Sequence, residues 1–353
     1  MSHRQPPSRC KGVCLPKVES LELRKLLSAV LDGDELKVSG TGKADQIFLS
    51  LAANNPAQLE VKVNGKITAF ALDQVREIKL YGLAGNDHIE VLEINGVIPR
   101  QTSMFGGGGS DTLVGGAGID RIHGDDGNDV VTGGGNRDRC WGDGGDDAVY
   151  GGRGNDLVDG GEHDDYLEGN RHDDSLFGGG GRDRCRGLDG NDTIDGGASR
   201  DLCYGDAGDD SVFGAGGNDL CDGDVGDDSI RGGDGDDDCY GGDDDDSVDG
   251  GTGNDDCHGG RGRDRNRGGA GNDDYDDDPE DTYDDRGGDD DDRNGHGDHD
   301  DNSGPGGGGD DDDDDNDGDN SGSGGGDDDP ADHDANDDKG GLQRLVAQID
   351  ELR

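Results

Sequence analysis

Between residues 106 and 276 the chain places one core-type residue in every nine, and the polar residues keep the same period. Position one of this frame is Gly in all 19 units, and position six is Asp in all 19. Position eight is aliphatic in 11 units and Cys in six, with Asn266 and Tyr275 in the remaining two. The spacing predicts one short strand per unit, with position eight turned towards a core.

The segment before the repeats follows a different pattern, in which apolar residues alternate with polar ones from about 34 to 98. Two apolar runs within 59–70 flank Asn64-Gly65, which predicts a β-hairpin because both turn positions favour positive φ. Residues 75–83 predict another strand. Further upstream, residues 21–31 carry Leu and Val at helical spacing and predict a short amphipathic helix.

After the repeats the frame is lost. Residues 277–340 are Asp-, Gly- and Asn-rich, including six consecutive Asp at 310–315, and such composition predicts disorder with weak ion binding. Residues 341–353 show helical spacing and predict a short amphipathic helix. The predicted organisation is therefore a polar N-terminus (1–33), a small β region that caps the repeats (34–105), the repeats (106–276), an acidic tail (277–340) and a terminal helix (341–353).

Charge limits the possible partners. The net charge is −55 and only 26% of residues are hydrophobic, so cations are natural partners and nucleic acid is an unfavourable one. No run of 18 apolar residues is present, and we therefore expect no transmembrane helix. An ordinary packed enzyme core is also not expected from this composition.

The repeat resembles the calcium-binding RTX nonapeptide of secreted bacterial proteins, G-G-x-G-x-D-x-U-x, as in the stretch GGRGNDLVDG at 151–160. The resemblance implies an all-β fold, a parallel β-roll in which two nonapeptides form each coil of a two-sheet, right-handed solenoid. Gly151, Gly152 and Gly154 would form the turn, Asp156 would bind calcium and Val158 would enter the core. Carbonyl and carboxylate oxygens from stacked turns suit Ca²⁺, which takes six to eight oxygen ligands.

Position four is Gly in 14 repeats, and the Asp of each of these repeats is a predicted calcium ligand. These residues are Asp111, Asp120, Asp129, Asp147, Asp156, Asp183, Asp192, Asp210, Asp219, Asp228, Asp237, Asp255, Asp264 and Asp273. The exceptions at position four are Asn136, His163, His172, Ser199 and Asp244. An ion between turns n and n+2 gives at most 17 places, of which seven have Gly at position four in both turns, so 133–186 is the stretch where we least expect intact calcium sites.

Two sets of side chains leave alternatives open. His163 and His172 could bind a transition metal, or they could mark neutral drift in a damaged turn. Four Arg residues directly precede the ligand Asp, and their guanidinium groups could replace calcium or only compensate charge on an acidic surface. They are Arg137, Arg182, Arg200 and Arg263.

Five cysteines, Cys185, Cys203, Cys221, Cys239 and Cys257, recur at position eight of every second repeat, which is once per coil. They should stack on one sheet and face Ile194, Val212, Ile230 and Val248 on the other. Adjacent parallel strands lie about 4.8 Å apart, which is wider than a relaxed disulfide needs between Cβ atoms. We therefore expect buried thiols that act as small apolar residues, with a redox or soft-metal ladder as the alternative.

These observations predict a secreted, calcium-binding structural or cell-surface protein of bacterial type, folded by extracellular calcium. LELRKLL at 21–27 resembles the LEPR-xLL segment of exported bacterial proteins, except that Leu23 replaces Pro. H-E-x-x-H and G-x-S-x-G motifs are absent, so no enzymatic activity is expected. Alternatives are an adhesin or matrix component that uses position-nine aromatics, or a remnant of an RTX toxin or hydrolase. The aromatics are Trp141, Tyr150, Phe177, Tyr204, Phe213 and Tyr240.

Overall fold

The computed structural model describes residues 28–275 and 282–283, and these residues form β-strands joined by turns. A single 3₁₀ turn occurs among them, at Leu72–Gln74. The strands that precede the regular repeats are β1 (Ser28–Asp32), β2 (Glu35–Ser39), β3 (Gln46–Ala52), β4 (Asn55–Val63), β5 (Lys66–Ala71), β6 (Glu77–Tyr81), β7 (His88–Leu92) and β8 (Gln101–Gly108).

The repeats contribute one strand each. These are β9 (Thr112–Gly116), β10 (Arg121–Asp126), β11 (Val130–Gly135), β12 (Arg139–Gly144), β13 (Ala148–Arg153), β14 (Leu157–Glu162), β15 (Tyr166–Arg171), β16 (Ser175–Gly180), β17 (Arg184–Asp189), β18 (Thr193–Ala198), β19 (Leu202–Ala207), β20 (Ser211–Gly216), β21 (Leu220–Val225), β22 (Ser229–Asp234), β23 (Asp238–Asp243), β24 (Ser247–Thr252), β25 (Asp256–Arg261), β26 (Arg265–Ala270) and β27 (Asp274–Tyr275). The last described strand is β28 (Thr282–Tyr283).

From β6 onwards, successive strands alternate between two 14-stranded sheets. Sheet A contains the even-numbered strands from β6 to β28, and sheet B contains the odd-numbered strands from β7 to β27. Within the repeats, equivalent residues of successive coils pair in parallel register, such as Ile122 with Cys140 and Val131 with Val149. The predicted parallel β-roll, with two nonapeptides per coil, is therefore confirmed.

The core is a double column of position-eight side chains, which are almost fully buried from Leu113 to Cys257. The five cysteines that recur once per coil pair in register on sheet B, from Cys185 on β17 to Cys257 on β25. Cys140 lies on β12 in sheet A. All six thiols are buried and unbridged. The predicted stacking is confirmed.

The turns require left-handed backbone, which L-residues with a Cβ adopt reluctantly. Positive φ occurs at position four even where Gly is replaced, for example at His163 (85°), His172 (74°) and Asp244 (91°). Strand pairing also keeps its register through 133–186. The backbone of this stretch is therefore regular, because the stacked coils on both sides hold it in place.

The N-terminal strands join the same two sheets. β4 and β5 form the predicted hairpin, with Asn64 (φ 48°) and Gly65 (φ 82°) in the turn. β6 confirms the strand predicted within 75–83, and it pairs in parallel with β8. Because β8 crosses residue 106, the predicted boundary between 105 and 106 lies inside a strand.

The helix predicted for 21–31 was wrong over 28–31, where β1 pairs antiparallel with β2. Gly33, with φ 66°, is the first residue of the turn between them, and Gly at that place favours a tight hairpin. Residues 21–27 lie outside the described residues, as do the predicted acidic tail (277–340), apart from β28, and the terminal helix (341–353). In the part of the chain that the structure describes, no helix has the length and hydropathy needed to span a membrane.

Candidate metal centre

The Asp residues at position six form two hydrogen-bonded columns, one along each edge of the roll. In each column, Oδ1 accepts the backbone N–H of the equivalent Asp in the preceding coil. The N–O distances run from 2.6 Å for Asp111 to Asp129 to 3.1 Å for Asp255 to Asp273. From Asp111 to Asp264 these side chains are at most 4% exposed. All 14 predicted ligands lie in the two columns.

The second carboxylate oxygen is different, because in 16 of these side chains the buried Oδ2 has no hydrogen-bond partner. These residues are Asp111, Asp129, Asp138, Asp147, Asp156, Asp165, Asp174, Asp183, Asp192, Asp201, Asp210, Asp219, Asp228, Asp237, Asp246 and Asp255. A buried carboxylate without a partner is costly unless a cation neutralises it. The columns therefore present rows of oxygen atoms suited to bound cations.

Carbonyl oxygens converge on the same places. A Cβ added to Gly133 would lie 2.8 Å from Asp138 Oδ2 and 2.6 Å from the carbonyl oxygen of Gly151 in the next coil. Glycine at position one therefore leaves room for two oxygen atoms that any larger residue would displace. This explains why position one is invariant through all 19 units.

Burial controls the proton affinity of the columns. The pKa of Asp138, Asp165 and Asp174 is raised to about 8, mainly by loss of hydration and also by nearby Asp carboxylates, while the bond from backbone N–H acts in the opposite direction. The pKa of Asp129 and Asp228 rises to about 7 for the same reasons. A positive ion at these carboxylates would remove the penalty that burial imposes on their charged form.

The donor set favours calcium over a transition metal. Among the described residues, no three His, Cys, Asp or Glu side chains come together as a metal centre. Ligands would instead be one or two carboxylates with backbone carbonyls, which are hard oxygen donors suited to Ca²⁺. His163 and His172 are exposed and follow strands of different sheets, β14 and β15, so they do not form a joint metal site.

The four arginines that precede a ligand Asp lie at the surface of the roll. Each of the four lies exposed at position five, outside the buried column. The guanidinium of Arg182 donates to Oδ2 of Asp164 at 2.9 Å. Asp164 stands at position five of the preceding coil on the same edge. For Arg182 this contact supports surface charge compensation. Burial raises the pKa of the column residues Asp156 and Asp219, whereas the charges of Arg137 and Arg200 respectively act to lower it. Replacement of calcium by guanidinium stays a prediction for these turns.

The requirement for Gly at position four excluded five Asp residues from the predicted site. They are Asp138, Asp165, Asp174, Asp201 and Asp246, and each is buried in the same columns with the same unpartnered Oδ2. The signal that could have found them is the unbroken frame at positions one, six and eight. That frame fixes the coil, and the coil then forces positive φ on whichever residue stands at position four.

The family model for the RTX calcium-binding nonapeptide repeat (4 copies) matches this part of the chain in eight segments, the last seven of which overlap. The segments are 105–140, 141–176, 159–194, 177–212, 186–221, 195–230, 213–248 and 231–265. Residues 105–265 are RTX calcium-binding nonapeptide repeats. RTX nonapeptide repeats bind Ca²⁺, and the buried Asp columns of the β-roll fit calcium binding. No curated protein sequence matches the chain.

The raised pKa values of the RTX columns predict that acid partly substitutes for calcium. A carboxyl whose pKa is higher in the folded than in the unfolded chain stabilises the fold below its unfolded pKa, and this contribution is lost as pH rises through the folded value. For Asp129, Asp138 and Asp165 the folded values are about 7 to 8. In chelator, far-ultraviolet circular dichroism should therefore show more β-structure at pH 5 than at pH 8.5. Equal spectra at both pH values would contradict this linkage.

Proposed function

We propose that this protein is a secreted, calcium-binding structural or cell-surface protein whose β-roll folds when it binds extracellular calcium. The observation that carries the proposal is the row of buried Asp Oδ2 atoms without hydrogen-bond partners along both edges of the roll. Each place where such an Oδ2 lies near a carbonyl oxygen combines groups from two successive coils, such as Asp138 with the carbonyl of Gly151 in the following coil on its edge. Such sites do not exist in an unfolded chain, so the binding energy of calcium is folding energy.

Charge supports coupling of folding to an ion. Folding brings the acidic groups of a chain with net charge −55 close together, and self-repulsion opposes a compact metal-free state. Seventeen Ca²⁺ ions would neutralise 34 of these charges. Extracellular calcium modules bind at about 10⁻⁴ to 10⁻³ M, so the chain would remain unfolded in calcium-poor cytosol and fold after export.

Three features support the structural and extracellular parts of the proposal. RTX repeats are typical of secreted bacterial proteins, and the LEPR-xLL-like segment at 21–27 fits export. The hairpins β1–β2 and β4–β5 occupy the N-terminal edges of the two sheets, where they would prevent edge-to-edge association. The described residues carry a repeat architecture and not a catalytic motif, and we propose a non-enzymatic role.

We further propose that all buried position-six Asp residues bind calcium, including the five whose turns lack Gly at position four. Equilibrium dialysis of the full chain should show that Asp138→Asn and Asp210→Asn each lose at least one ion per chain, because each removes a charged ligand. Asp126→Asn, which changes an exposed carboxyl, is the matched control and should keep every ion. A full complement of ions in Asp138→Asn, with a loss in Asp210→Asn, would restrict the sites to turns with glycine.

An adhesin or matrix role is the second candidate, and one feature of sheet A favours it. The rings of Tyr81, Phe105, His123 and Trp141 stack on consecutive strands of its outer face, with centroids 5.1, 5.4 and 4.3 Å apart. The sequence had indicated only Trp141 within this column. Comparing the binding of the wild-type chain and Trp141→Ala to isolated cell envelopes in calcium would test this role.

A further inference from the structure

A turn outside the matched repeats has the same construction as the repeat turns. Residues 82–87 read GLAGND and lie upstream of residue 105, where the family match begins. Leu83 and Gly85 have φ values of 88° and 114°, the left-handed backbone found at positions two and four of the repeats. The segment 91–105 interrupts the nine-residue frame, yet β7, which follows this turn, pairs in parallel register with β9.

Asp87 lies in the Asp column that contains Asp111 and Asp129. Its backbone N–H donates to Asp111 Oδ1 at 2.6 Å, and its own Oδ1 accepts the N–H of Asp45 at 2.7 Å. The Asp87 side chain is 3% exposed, and its buried Oδ2 has no hydrogen-bond partner. The hydrogen bond between position-five residues of successive coils is also present here, since Ser110 N–H donates to Asn86 Oδ1 at 3.2 Å. The turns at 82–87 and 106–111 are therefore stacked as two repeat turns would be.

The turn that ends at Asp45 is the next one in the column towards the N-terminus, and it does not leave a carboxylate oxygen without a partner. Asp45 is also buried, but its Oδ2 accepts the backbone N–H and the hydroxyl of Thr41. Neither Thr41 nor Lys43, at the places of positions two and four, has the positive φ of the repeat turns. Thr41 thus satisfies the carboxylate that ends the column, and Asp87 is the first member whose second oxygen remains available to a cation.

We propose that Asp87 and Asp111 hold an additional calcium ion between the turns at 82–87 and 106–111. This inference rests on the proposed calcium-binding function and extends it to the N-terminal β region. The ion fastens β3 and β7 to the first coil of repeats. Calcium therefore orders residues upstream of the RTX match as well as the repeats themselves.

The test is calcium counting on the full chain, combined with amide hydrogen exchange. Asp87→Asn keeps the Oδ1 acceptor for Asp45 N–H and removes the ligand charge, so it should bind one ion fewer per chain than the wild type. Calcium should protect the amides of β3 and β7 about tenfold less in Asp87→Asn than in the wild type. Protection of the strands from β11 to β26 should be unchanged. Asp73→Asn, an exposed residue of the same region, is the control for the loss of one charge.

A wild-type ion count in Asp87→Asn overturns this inference and leaves the proposed function intact. No calcium binding by the wild-type chain overturns both. Anomalous scattering from wild-type crystals grown in calcium provides a measurement that needs no variant. A peak between the Asp87 and Asp111 carboxylates supports the site, whereas an empty place there beside occupied repeat turns excludes it.

Discussion

In chelator at pH 8.5 the full chain should give the circular dichroism spectrum of an unordered polypeptide, and calcium near 1 mM should convert it to β-structure in one cooperative transition. Cooperativity is expected because each Asp in a column bonds to the coil before it and to the coil after it, as Asp147 bonds to Asp129 and Asp165. A coil alone lacks these partners, and solenoid coils are stabilised mainly by their neighbours.

Magnesium at the same concentration is the control, because its stricter octahedral geometry and reluctant dehydration suit these carbonyl-rich turns poorly. Sodium chloride at matched ionic strength controls for screening of the net charge of −55. A chain that is already β-structured in chelator at pH 8.5 would show that the apolar core is sufficient for folding and that calcium is not required for it.

Calcium should also govern the chemical reactivity of the core. The six thiols from Cys140 to Cys257 are fully buried in the folded roll. Burial raises the pKa of the Cys140 thiol, and a hydrogen bond with Cys185 raises that of Cys203. Because the thiolate is the reactive species, an uncharged aromatic disulfide should modify these thiols at least about 100-fold more slowly in calcium than in chelator.

Replacing Cys10 and Cys14 with Ser leaves only the six core thiols to be counted. Mass spectrometry should find six modified cysteines after a short exposure in chelator and none after the same exposure in calcium. Free cysteine in both buffers measures any direct effect of calcium on the reagent. Equally fast modification of all six in calcium would show that the cysteine column opens readily and does not form a stable core.

The nine-residue frame predicted a strand in each unit and the inward direction of position eight. The resemblance of the repeat to the RTX nonapeptide implied the roll, its alternation between two sheets and, with the spacing of the cysteines, their in-register column. The hairpin at Asn64-Gly65 could be predicted because its turn is encoded by two adjacent residues. These features depend on local spacing and local turn chemistry, which a sequence displays directly.

What could not be predicted depended on long-range stacking. His163 and Asp244 adopt positive φ because neighbouring coils hold them there, so the residue at position four does not determine the backbone conformation of its turn. The turn at 82–87 could be recognised as a loose copy of the repeat, but its place in the Asp column depends on the segment 91–105 leaving the coil and returning. For residues 28–31, helical spacing of apolar residues competed with a hairpin turn at Gly33, and the hairpin prevailed.

Strict alternation between the two sheets also limits how such a molecule can change its length in evolution. A duplication or deletion of a single nonapeptide would keep the frame but transfer every later unit to the opposite sheet. The cysteine column from Cys185 to Cys257, and the ring column that ends at Trp141, would each be divided if the change fell within it. A duplication of two consecutive nonapeptides would instead add one whole coil and leave every column continuous. The heritable unit of this fold is therefore the pair of nonapeptides, although the repeat visible in the sequence is half as long.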